Sequence, residues 1–177
     1  MRKYIYIITV LIAVVLIKLT MTEKPKNPLK VGDTIPSFSL QDQNGDWFKS
    51  ESVIGKQTAV IYFYPKDETP GCTKEACKFR DEFEVFTDLK ARVIGISSDN
   101  VTSHKKFAEK YHLPFTLLAD VHKEVRHLFG VPKSTLGLLP GRVTYIIDKK
   151  GVIIDIFNSQ FKAEKHIAEA IKALKSR

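Results

Sequence analysis

From Thr58 onward the chain alternates between short runs of β-branched and aromatic residues and longer stretches with apolar side chains every three or four positions. Such alternation restricts a chain to layered α/β folds. Thr58 to Tyr64 and Val93 to Ser97 read as buried strands. A helix is expected from about Pro70 through Phe79, Phe83 and Phe86 to about Leu89, with the three phenylalanines packing into the core. Ser103 to Tyr111 predicts a second helix ending before Pro114, and Lys123 to Phe129 a short third. Val143 to Asp148 and Val152 to Phe157 predict a hairpin across Lys149-Lys150-Gly151. Lys162 to Leu174 predicts a closing amphipathic helix, with Ile167, Ile171 and Leu174 at helical spacing. Ahead of these, Phe38 to Leu40 and Trp47-Phe48 flank Asn44-Gly45, a hairpin signal. The expected fold is an α/β sandwich with a mixed central sheet, helices on both faces and an N-terminal β-hairpin. A chain of 177 residues suits one such domain with a sizeable core.

The first residues form a separate object. Met1-Arg2-Lys3 precedes an uncharged run from Tyr4 to Ile17, rich in Ile, Val and Leu. As a helix this run spans about 21 Å, short of a hydrocarbon core of about 30 Å unless it extends to Met21. Residues 1–22 are expected to be a hydrophobic signal-anchor or a signal peptide, 23–28 a linker with two prolines, and 29–177 the folded domain. That reading makes the protein membrane-tethered or exported, with the side of the membrane open because lysines flank both ends. Charge divides the same way. Residues 1–30 hold six Lys/Arg and one acid, whereas residues 31–177 hold 22 Lys/Arg and 19 acids. The folded part is only mildly basic and has no basic patch interleaved with aromatics, which argues against a nucleic-acid partner.

Chemistry concentrates in Tyr64 to Cys77, which holds the only two cysteines, Cys72 and Cys77. Pro65 ends the preceding strand. Thr69-Pro70 has the form of an N-cap followed by proline at the first helical position, so Cys72 falls in the first helical turn. Backbone N–H groups there lack intrahelical partners, and a helix N-terminus favours a thiolate, the nucleophilic form of cysteine. If both cysteines stay helical, their Cα atoms lie about 8.6 Å apart. A disulfide requires less than about 7 Å. The two can bond only if the start of the helix unwinds, which suits a working pair better than a permanent staple. The C-x4-C spacing lacks a paired knuckle and is a poor zinc motif. His104, His112, His122, His127 and His166 show no ligand spacing and read as surface or structural residues.

Pro65-x3-Thr69-x2-Cys72, within Thr69-Pro70-Gly71-Cys72-Thr73 and with Cys77 five residues on, resembles the peroxiredoxin active-site motif. It looks like the Q-type group, also called the bacterioferritin-comigratory-protein group. Leu139 to Gly151 (Leu-Pro-Gly-Arg-Val-Thr-Tyr-Ile-Ile-Asp-Lys-Lys-Gly) and Phe157 to Ile167 support the same resemblance, which covers the chain from about Leu29. The resemblance implies a thioredoxin-like fold and thiol peroxidase activity toward hydrogen peroxide and organic hydroperoxides, with no metal or prosthetic group. It implies Cys72 as peroxidatic nucleophile, oxidised to a sulfenic acid, and Cys77 as the resolving thiol that closes an intramolecular disulfide. Thr69 would hydrogen-bond the peroxide, Pro65 would shield the site from water, and Arg142 would stabilise charge beside the thiolate. A thioredoxin-like dithiol protein would return the electrons, and the protein would be a monomer.

Plainer roles exist for each residue. Thr69 can be simply an N-cap and Pro65 a strand terminator. Glu75 is expected as a solvated first-turn carboxylate, orienting Arg142 being its other possible role. Two other functions share the fold. A thiol-disulfide exchange protein would want the C-x-x-C motif that is absent. A copper-binding assembly factor would want a tighter cysteine pair and a dedicated histidine.

Overall fold

The computed structural model describes residues 27–134, 137 and 140–176. The run Tyr4 to Ile17, and with it the expected 1–22 segment, lies outside the described residues. Among the described residues there are seven strands: β1 (Ser39–Asp42), β2 (Trp47–Lys49), β3 (Thr58–Phe63), β4 (Ala91–Ser97), β5 (Thr116–Ala119), β6 (Val143–Ile147) and β7 (Ile153–Asn158). The α-helices among the described residues are α1 (Pro70–Asp81), α2 (Phe83–Asp88), α3 (Val101–Tyr111), α4 (Glu124–Leu128) and α5 (Ala163–Lys175).

The strands make one sheet in the order β2-β1-β5-β4-β3-β6-β7. β3, β4 and β5 run parallel, linked by helical crossovers, and the outer pairings are antiparallel. The mixed sheet and the N-terminal hairpin match the expectation. β5 was not foreseen, because Thr116–Ala119 is four residues with no alternation to mark it.

Successive side chains of a strand point to opposite faces, and β3 fills two cores in this way. Val60 and Tyr62 join Phe79 and Phe86 from α1 and α2, Phe107 from α3, and Ile167 and Leu174 from α5. Ala59, Ile61 and Phe63 join Val125 and Phe129 at α4, with Phe38 and Phe48 of the hairpin. Helices therefore lie on both faces, but unequally. Among the described residues α4 is the one α-helix on the second face, where the hairpin also packs.

The helix expected to run from Pro70 to Leu89 is broken. Glu82, at φ −101° and ψ 14°, leaves helical geometry and separates α1 from α2. The break lets Phe79 and Phe86 both bury completely, their ring centroids 5.6 Å apart, while Phe83 stays only partly buried.

Register places the site. β3 pairs with β6 as far as Phe63 and Val143. Beyond that pair β3 runs into Tyr64-Pro65, and Arg142 stands just ahead of β6. The loop to α1 and the arginine thus emerge side by side at one end of the sheet.

Candidate active site

Cys72 lies in the first turn of α1, its side chain buried beneath a mouth open to solvent. The mouth holds a cavity of about 520 Å³ lined by residues that include Pro65, Thr69, Gly71, Cys72, Arg142 and Gln160. Of the five residues to which the resemblance gives roles, Pro65, Thr69, Cys72 and Arg142 meet there and Cys77 does not. Cys77 is half-buried further along α1, and both thiols are free.

Arg142 is 4% exposed and each of its three side-chain nitrogens has a target. Nη2 donates to Cys72 Sγ at 3.3 Å, Nε to the Gln160 carbonyl at 3.3 Å, and Nη1 to Glu75 Oε2. Burial works against the charge on this guanidinium, but Glu75 and Cys72 more than offset it and hold Arg142 above its ordinary value. A guanidinium fixed against the sulfur is the arrangement a thiolate nucleophile requires.

Glu75 corrects the expectation of a solvated carboxylate. It is completely buried, and burial pushes its carboxyl up to about 8 against the pull of Arg142. The signal was present in the sequence: Cys72, Glu75, Ala76 and Phe79 stand at i, i+3, i+4 and i+7, one stripe of α1, and all four are buried. Behind Glu75, His166 of α5 is also buried, its Nδ1 3.7 Å from Glu75 Oε1. His166 Nε2 faces the Ser159 carbonyl at 2.9 Å, which can only accept, so Nε2 carries the proton. Nδ1 then accepts from the Thr144 hydroxyl at 2.7 Å. Burial lowers His166 to about 4, against the Ser159 hydrogen bond and with help from Arg142, so the ring is neutral near pH 7.

Thr69 is the N-cap residue and Pro70 opens α1, but the threonine side chain does not cap the helix. Its hydroxyl donates instead to the Lys66 carbonyl at 3.0 Å, and its oxygen still has acceptor capacity. The loop between Pro65 and Thr69 is held from below. Asp67 accepts from Tyr64 OH at 2.8 Å and Ser103 Oγ at 2.8 Å, and its Oδ2 lies 2.9 Å from His104 Nδ1. Burial alone would raise Asp67; His104, Ser103 and Tyr64 outweigh it and hold the carboxyl below its ordinary range. Glu68 takes φ +60°, a strained value for a non-glycine residue, and is tied at its side chain by Lys110 and Tyr111.

Two glycines permit close approach. A Cβ on Gly71 would lie 3.3 Å from Arg142 Nη2, and one on Gly141 would collide with the Pro132 carbonyl. Among the described residues no His, Cys, Asp or Glu cluster is arranged to hold a metal ion. Asp67 and Gln160 were missed by sequence reasoning, since nothing local marks them as neighbours of the site.

Comparison with known proteins agrees with this geometry. The AhpC/TSA family model matches residues 31–156. The chloroplastic peroxiredoxin Q of Populus jackii is 54% identical over 145 residues, 82% of this chain and 68% of the relative. That of Arabidopsis thaliana is also 54% identical, over 82% of this chain and 67% of its own length. The chain thus spans about two thirds of the length of these relatives. The crystal structure of peroxidoxin BcpB from Mycobacterium tuberculosis superposes with a TM-score of 0.77 at 37% identity, covering 84% of this chain and 97% of that one. Xanthomonas campestris peroxiredoxin Q gives 0.72 at 30% identity, over 79% and 90%. These matches make the fold the thioredoxin-like one of peroxiredoxins. They also overturn the expected membrane-tethered or exported location: the relatives are named as chloroplast proteins, and among the described residues no helix is long and apolar enough to cross a membrane. The chain belongs to the AhpC/TSA family, in its peroxiredoxin Q group, and is a thiol-dependent peroxidase.

Proposed function

We propose that the protein reduces hydrogen peroxide and organic hydroperoxides by a two-cysteine cycle within one chain. The observation that carries this reading is the 3.3 Å hydrogen bond from Arg142 to Cys72 Sγ at the floor of an open cavity walled by Pro65 and Thr69. The Cys72 thiolate attacks one peroxide oxygen. An S–O bond forms, the O–O bond breaks, and the departing oxygen takes a proton to leave as water or an alcohol. Arg142 faces the charge on both sulfur and oxygen as it shifts. The Thr69 hydroxyl hydrogen-bonds the peroxide and Pro65 excludes water from above the sulfur. The cavity, at about 520 Å³, has room for an alkyl hydroperoxide as well as hydrogen peroxide.

Cys77 then attacks the sulfenic sulfur, forming an S–S bond and releasing water. A thioredoxin-like dithiol protein exchanges with this disulfide, restoring both thiols and becoming oxidised itself. The test is a pair of variants. Cys72→Ser is expected to abolish peroxide reduction. Cys77→Ser is expected to consume one equivalent and stop at a sulfenic acid that dimedone traps on Cys72. Undiminished peroxide reduction by Cys72→Ser would refute the assignment.

A further inference from the structure

Arg126 stands outside the residues given roles above. It is on α4, across the sheet from α1, and is 6% exposed. Its guanidinium bonds two backbone carbonyls: Nη1 donates to Gly141 O at 2.9 Å and Nη2 to Tyr64 O at 2.8 Å. Tyr64 immediately precedes Pro65, and Gly141 immediately precedes Arg142. The β3–β6 ladder ends at Phe63 and Val143, one residue before Tyr64 and two after Gly141. Arg126 therefore ties together the two segments that carry the site at the point where the sheet stops doing so.

The arginine is itself fixed. The backbone N–H groups of Val125 and Arg126 donate to the Asp120 carboxylate at 3.1 and 2.8 Å, and the guanidinium lies over the Phe63 ring at 5.5 Å. Burial lowers Arg126 to about 10, against the pull of Asp120, Tyr145 and Cys72, so it is still charged at neutral pH. Neither guanidinium hydrogen bond goes to a carboxylate, so burying this charge is costly for stability. The return is geometric. A rigid planar fork sets the spacing of two acceptors, which a flexible ammonium cannot do.

We propose that Arg126 is a positioning residue for peroxide reduction: by bridging Tyr64 O and Gly141 O it sets the gap between the Pro65–Thr69 loop and Arg142. The inference rests on the roles proposed above for those residues. Peroxide must lie in line with Cys72 Sγ while touching both arms, so a shift of about 1 Å between them costs on the order of 100-fold in rate. Alkylation of the same sulfur by iodoacetamide needs the thiolate but not that alignment.

The test uses the full chain in a Cys77→Ser background, which leaves Cys72 as the only thiol. Arg126→Lys keeps the charge and removes the bridge. The expected result is a fall of roughly 10- to 100-fold in the rate of Cys72 oxidation by hydrogen peroxide, with iodoacetamide alkylation of Cys72 unchanged within about twofold and an unaltered near-ultraviolet circular dichroism spectrum. Arg126→Gln carries the same comparison should the lysine variant fail to fold. An unchanged peroxide rate overturns the inference. So does a parallel fall in both reactions, which would make Arg126 a determinant of the thiolate or of the fold. The site reading fails separately, through a Cys72→Ser protein that still reduces peroxide.

Discussion

Oxidation is expected to destabilise this protein, although a disulfide ordinarily does the reverse. Cys72 and Cys77 both lie on α1, where helical geometry separates their Cα atoms by about 8.6 Å. Bringing them under the roughly 7 Å limit of a disulfide unwinds the helix across the pair and leaves only Lys78–Asp81, one turn. Glu75 lies between the cysteines, so unwinding pulls its carboxyl from Arg142. Leaving the buried Arg142 guanidinium without this hydrogen-bonded partner costs about 3–5 kcal/mol. Closing so short a loop constrains the unfolded chain by only about 2 kcal/mol in return. The balance is a loss of roughly 1–3 kcal/mol, which for a domain of this size lowers Tm by about 3–10 °C. The assay is thermal unfolding of the reduced protein and of protein oxidised with one equivalent of peroxide, with amide hydrogen exchange followed across Pro70–Asp81. Protection of those amides should disappear on oxidation. An oxidised protein with an equal or higher Tm and a protected α1 would refute the reasoning.

Two further outcomes follow from the geometry. Gly71→Ala places a Cβ 3.3 Å from Arg142 Nη2, which forces the guanidinium aside by a few tenths of an ångström. Stopped-flow peroxide kinetics should show a loss of roughly 3- to 10-fold, while urea unfolding shows equal or greater stability because alanine is the better helix former; unchanged kinetics would mean the arginine's position is not critical. His166, lowered to about 4 from an ordinary 6.5, is held neutral by burial. Its folded value lies below its unfolded one, so its contribution to stability is complete above about pH 6.5 and is lost as the pH falls through about 4. Proton NMR should find the ring neutral at pH 5, and a midpoint near 6.5 would contradict its placement.

What was legible in the sequence was what a local pattern encodes. The run Thr58 to Tyr64, the Thr69-Pro70 helix start and the two cysteines define a strand, a turn and a helix carrying a thiol. Arg142 was found through its Pro-Gly-Arg setting, and the structure puts its guanidinium against Cys72. Glu75 was misread because a charged residue in a first helical turn is ordinarily solvated; its place on the Cys72–Phe79 stripe was the better guide. The split at Glu82 was hidden because the phenylalanine spacing runs on through it, and only the packing of Phe79 against Phe86 favours the break. Arg126 and the Asp67–His104 contact join residues far apart in the chain, and no periodicity records such a pairing. The hydrophobic N-terminal run suggested a membrane-tethered or exported location that the comparisons overturn, and the run itself lies outside the described residues.

The most direct test of the central claim is a single turnover followed by mass. Fully reduced protein is mixed with one equivalent of hydrogen peroxide, quenched within a second and alkylated, and the peptides carrying Cys72 and Cys77 are weighed. The account predicts rapid loss of two hydrogens, localised to a bridge between Cys72 and Cys77. Two intact thiols after minutes of exposure would contradict it.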